Sequence, residues 1–214
     1  MATKTRTKAA IGALGLILML SGAAGGVNLY ERRAHELHAA QLAFSWPSID
    51  FYFFYKLFMS WVNSGVSGAN NLALPAALQT KLKPFYSFDL TIARYAYTTR
   101  FTNLAMTDCA KIYFGNKPIV DAVSLNQNLT LSQVRWLAHE LTHVEQCQKW
   151  GGRKNYADTW FKQLTKEILM KILSGSFSSI VKNVANAQAA AIHDSMSMER
   201  EAELRAATVI GGWK

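Results

Sequence analysis

The sequence predicts a mainly helical α+β fold, with a short sheet packed on one central helix and further helices toward the C-terminus. Three observations lead there. Segments rich in aromatic and β-branched residues, Phe88–Tyr97 and Lys111–Phe114, precede the helical segments rather than alternating with them. Beyond Thr130 the hydrophobic residues recur at spacings of three and four. A chain of 214 residues, 50% hydrophobic and 17% charged, can bury one real core and carry an appendage, and it lacks the apolar excess of a multi-span membrane protein.

The first element reads as an export signal. Lys4, Arg6 and Lys8 precede the uncharged run Ala9–Leu20, and the small residues Ser21-Gly22-Ala23-Ala24 come after it. A basic start, a short apolar stretch and small residues at a cleavage position form the secretory pattern. Residues 1–24 are therefore expected to be a signal peptide. The alternative is an N-terminal membrane anchor, because no charge appears from Ala9 through Tyr30. Either makes the protein exported, periplasmic or secreted. Three of the basic residues behind the net charge of +9 belong to this start. No Lys/Arg cluster with interleaved aromatics occurs, which argues against a nucleic-acid partner, while anionic envelope surfaces stay open. Cys109 and Cys147 fit a single disulfide in an oxidising compartment, with two separate buried thiols as the alternative.

Residues 25–73 read as a helical, aromatic-rich extension. A short polar helix is expected over 30–41. From Phe44 to Val62 the chain is crowded with aromatics, yet Pro47, Asp50 and Lys56 interrupt it, so it is no membrane span. Those aromatics would either pack over the domain core or give residues 44–62 a membrane-surface contact. A Gly/Ser/Asn-rich loop covers 65–71. Residues 74–214 form the main domain. A short helix runs from Leu74-Pro75 to Lys83-Pro84, then come the two strands, and residues 116–128 are expected to be mostly loop. Helices are expected from Thr130, over 157–173, over 177–191 and over 198–210.

The helix starting at Thr130 carries the chemistry. Thr130 with Gln133 fits a capping box, and Gly151-Gly152 supplies a stop. Inside it lies His139-Glu140-Leu141-Thr142-His143, an HExxH motif. Histidines four apart stack on one helical face and can share a Zn²⁺, with the intervening glutamate as general base. Catalytic zinc takes a third protein ligand. No histidine occurs at metzincin spacing, so the acidic run Glu199-Arg200-Glu201-Ala202-Glu203 is the leading source. Glu199 and Glu203 are four apart, so one can ligate while the other hydrogen-bonds a histidine, and Glu201 should face away. His193, Asp194 and Glu201 are the alternatives to Glu199.

The run Leu137–Gln146, the upstream Lys111–Gly115 and the downstream Glu199–Glu203 together resemble the metallopeptidase core domain associated with extracellular contractile injection systems. The resemblance covers roughly residues 74–208. It implies a zincin-like fold and a gluzincin-like centre, with His139, His143 and Glu199 as metal ligands, Glu140 as base and Glu203 supporting a histidine. Glu203 stands where that family usually has Asp.

The expected function is that of an exported zinc-dependent endopeptidase that hydrolyses protein or peptide substrates with zinc-activated water, Glu140 accepting its proton. Tyr113 and Tyr156 are the nearest candidates for an oxyanion donor, and strand Lys111–Phe114 could align an extended substrate through its edge. The alternatives are a non-catalytic, zinc-stabilised structural or binding module at the envelope or a secretion system, and a secreted effector or toxin.

Overall fold

Helix α1 (Phe51–Asn63) turns Tyr55, Met59 and Val62 inward at helical spacing, and all three are buried. It belongs to the compact unit Asp50–Lys214. The computed structural model describes residues 51–173 and 196–213. The expected signal peptide, the helices expected over 30–41 and 177–191, and the alternative ligands His193 and Asp194 lie outside the described residues. The outer side of α1 exposes Phe53, Leu57 and Phe58, so residues 51–62 of the aromatic segment both pack inward and present apolar surface, while residues 44–50 lie outside the described residues. No described helix is long and apolar enough to cross a membrane.

The fold is α+β, with a four-stranded sheet of order β1-β2-β4-β3. Strand β1 (Leu72–Ala73) runs antiparallel to β2 (Arg94–Tyr97), β2 parallel to β4 (Lys111–Phe114), and β3 (Ala105–Asp108) antiparallel to β4. Tyr95, Ile112 and Thr107 share one register row, and all are buried. Tyr95, Ile112 and Phe114 join the core with Val134, Leu137 and Leu141 from the motif helix.

Three sequence expectations need correction. Residues 88–93 are not strand: the Asp89 carboxylate accepts from Thr91 N and winds Leu90–Ile92 into a 3₁₀ turn, leaving only Arg94–Tyr97 extended. The segment 116–128 is not mostly loop. Asn116 caps helix α3 (Lys117–Ser124) by accepting from Ile119 N, and Pro118 in the first turn favours the start. Strand β3 is an addition that the sequence pattern does not predict. Helix α2 (Ala76–Leu82) starts after Pro75 and ends in a 3₁₀ turn at Lys83–Phe85.

The motif helix α4 (Leu131–Lys149) has the capping box in place: Thr130 Oγ1 accepts from Gln133 N, and Gln133 Oε1 accepts from Thr130 N at 2.9 Å. Positive φ at Gly151 and Gly152 turns the chain into α5 (Arg153–Leu173). Helix α6 (Ser197–Gly212) lies along α4, where Ala202 and Ala206 are fully buried and let the two backbones approach. Gln163 of α5 accepts from Met198 N at 3.2 Å, satisfying a donor in the first turn of α6.

Candidate metal centre

Two histidines on α4 and one glutamate in the first turn of α6 point at a common spot. His139 Nε2, His143 Nε2 and Glu199 Oε2 form a triangle whose three sides are each 3.1 Å. His143 and Glu199 are buried, and His139 is nearly so. These donors are the group among the described residues that could hold a metal ion.

The tautomers are set by the partners. Gln146, one turn past His143, uses its amide nitrogen to donate to Met198 O at 3.0 Å and to Glu201 Oε2 at 2.9 Å. Its carbonyl oxygen must then face His143, so His143 Nδ1 donates to it at 2.8 Å. Glu203 Oε1 lies 3.1 Å from His139 Nδ1, and its other oxygen takes a forked contact from Arg135. With an acceptor beside each Nδ1, both Nε2 atoms face the Glu199 carboxylate oxygen and one another.

Three electron-rich atoms this close repel one another unless a cation sits among them. The electrostatics agree. Burial works against a charged His143 ring, but the charge and hydrogen bond of Glu199, then Glu140, outweigh it and push its pKa up to about 9. A tetrahedral zinc with bonds of about 2.0–2.1 Å requires ligand-to-ligand edges of about 3.3 Å, close to the triangle found here. Two neutral imidazole nitrogens and one carboxylate are a donor set that zinc accepts, with a fourth position left over. The residues fit the ion that the motif implies.

Glu140 points to the sheet side of α4. It is buried, and Thr107 of β3 donates to its Oε2 at 2.7 Å. A cavity of about 40 Å³ opens there, bordered by Glu140, His143, Glu199 and Thr107, with Phe58, Tyr156 and Trp160 as aromatic walls. That is room for a water or two. Tyr156 packs edge-on against His143 at 6.3 Å between ring centroids. Burial first, then the charges of Glu199 and Glu140, raises its pKa well above the usual tyrosine value, so its hydroxyl stays a donor. Tyr113, the other tyrosine considered, donates to Asn63 Oδ1 at 3.2 Å and does not border the cavity.

The structure thus brings together His139, Glu140, His143, Glu199 and Glu203. Glu201 is exposed as expected, yet it holds Gln146 rather than standing apart. Cys109 and Cys147 are joined in a disulfide. Sequence reasoning misses Gln146, Gln163 and Thr107. Gln146 has a readable signal, since a residue three past His143 faces the same side of the helix. Thr107 has none, because its contact spans 33 positions. No family model, curated protein or solved structure matches this chain.

Proposed function

We propose that the chain is an exported, zinc-dependent endopeptidase of zincin-like fold and gluzincin-like ligation. The observation that carries this reading is the equal-sided triangle of His139, His143 and Glu199 with a buried Glu140 beside it on the same cavity. The resemblance of 137–146 and 199–203 to the injection-system metallopeptidase domain agrees with it. A bound zinc supplies a Lewis acid that acidifies water and polarises a peptide carbonyl.

The chain's own groups account for the remaining steps. Glu140 takes the proton from the attacking water and returns it to the leaving amine. Tyr156, held protonated, donates a hydrogen bond to the carbonyl oxygen as it gains charge. Strand β4 cannot align the substrate, because it is paired on both sides by β2 and β3. The alignment passes to β3 at the sheet edge, whose Ala105, Met106 and Thr107 border the cavity. Export rests on residues 1–24, and a membrane-surface contact on the apolar outer side of α1.

The test is Glu140→Gln in the full chain. Zinc content should stay at one equivalent while cleavage of a casein-type substrate falls by at least about 10³-fold. Unchanged cleavage would sink the proposal.

One observation favours a second reading, a zinc-fastened structural module: the cavity holds water more readily than a peptide side chain. In that case a chelator unfolds the domain, and no protein in a substrate library is ever cut.

A further inference from the structure

We propose that Thr107 is a positioning residue for the base, aiming the Glu140 carboxylate from the edge strand, and that the disulfide next to it holds it in place. This rests on the reading of Glu140 as general base. Thr107 is buried, and its hydroxyl lies 2.7 Å from Glu140 Oε2 and 3.2 Å from Glu140 O. A hydroxyl has one proton, and the shorter contact, to the side-chain carboxyl oxygen, is the stronger claim on it. One carboxylate oxygen is thereby held, and the other is left clear of this contact. A glutamate side chain has enough rotamer freedom to swing away from a reacting water, while a β-branched threonine is stiff at χ1. The threonine therefore acts as a fixed peg against which a flexible base is set.

The peg itself stands on a strand that should be weak. Strand β3 is four residues long and pairs on one side only. Its C-terminal end, from Asp108 to Cys109, supplies the anchorage. Asp108 takes two contacts from Arg153 at 2.5 and 2.6 Å and one from the Tyr55 hydroxyl at 3.1 Å. The same Tyr55 hydroxyl lies 3.3 Å from Thr107 O. Cys109 is then bonded to Cys147, about two turns beyond Glu140 on the motif helix. Strand and helix are thus joined covalently on one side of the Thr107–Glu140 contact and packed together on the other. The arrangement gives the Cys109–Cys147 bond a role in aiming the base as well as in stability.

The test uses the full, zinc-loaded chain with Thr107→Val, which keeps the shape and removes the hydroxyl, and Thr107→Ser, which keeps the hydroxyl. Three quantities are read: kcat and KM on a peptide, zinc affinity by chelator competition, and calorimetric binding of acetohydroxamate, whose hydroxyl proton needs a well-placed Glu140 acceptor. Thr107→Val should lower kcat by about tenfold or more with KM within about twofold, and weaken the hydroxamate by about tenfold. Zinc affinity should stay within about threefold, since no ligand or ligand partner is touched. Thr107→Ser should restore most of kcat and of hydroxamate binding. The proposal is overturned if Thr107→Val retains parental hydroxamate binding, or if Thr107→Ser falls as far as Thr107→Val. Should the parent chain cut no peptide, the endopeptidase reading fails by itself, and the hydroxamate arm still decides whether Thr107 sets Glu140.

Discussion

Gln146 Oε1 accepts from His143 Nδ1 at 2.8 Å while the same amide donates to Met198 O and Glu201 Oε2 on the neighbouring helix. The contact that selects the histidine tautomer is therefore also a contact that seats α6, the helix bearing Glu199. Ligand orientation and ligand delivery depend on one side chain.

Gln146→Leu should accordingly lower zinc affinity by about 10- to 100-fold, the usual scale for losing a partner of a metal-bound histidine. Chelator competition measures it. Gln146→Glu, which still accepts from Nδ1 but cannot donate to Met198 O, should fall between the parent and the leucine variant.

Glu203 supports His139 from a more exposed position, with about half its side chain open to solvent and Arg135 sharing it. Burial alone would raise its pKa, but the hydrogen bond from Arg135 and the His139 ring bring it below the usual glutamate value. Screening weakens such a contact, so Glu203→Ala should reduce zinc affinity by less than about tenfold, a smaller loss than Gln146→Leu. An equal or larger loss would show that the exposed support matters more than the buried one.

The Cys109–Cys147 bond closes a separation of 38 residues. By chain entropy, a loop of this length contributes about 4 kcal/mol. Replacing both cysteines by serine should lower the melting temperature of the zinc-loaded protein by roughly 8–16 °C. Scanning calorimetry with and without a reductant checks it, and the reduced parent should match the double variant.

Acid should act through Glu145, a buried residue of α4 itself. Its Oε1 accepts from Ser87 N at 2.7 Å and Ser87 Oγ at 2.6 Å, and Lys149 lies 3.3 Å from Oε2. Burial pushes its pKa up, but the Ser87 bonds and Lys149 prevail and hold it below the usual glutamate value. A depressed carboxylate stabilises the fold above its unfolded pKa, and that stability is lost as pH falls through the folded value. Glu145→Gln should cost about 1–3 kcal/mol near neutral pH and show a shallower loss of stability in acid than the parent. Urea titrations across the acid range would reveal the converging curves.

Much of the site is legible in the sequence because its signals are local. The capping box, the four-residue histidine spacing and the glycine stop all lie within one helix, and Glu199 with Glu203 repeats the same spacing on another. The cap at Asn116 with Pro118 is equally local, but the surrounding polar residues and the short length of α3 hide it. The illegible parts depend on distant pairing. A four-residue edge strand such as Ala105–Asp108 has too few positions for an alternating pattern to stand out. Residues 88–93 look extended by composition, and the Asp89 side chain overrides that preference with a single hydrogen bond. Thr107 gains its role only through the placement of β3 beside α4.

The third donor arrives with α6, 56 residues after His143. During synthesis, a chain released only as far as α4 carries two histidines and a glutamate base but no closed ring of donors. The metal site can form only after α6 has been made and packed along α4. On the proposed peptidase reading, the centre is not assembled while the chain is still unfolded and cleavable, so late docking of one helix would protect the protein from itself.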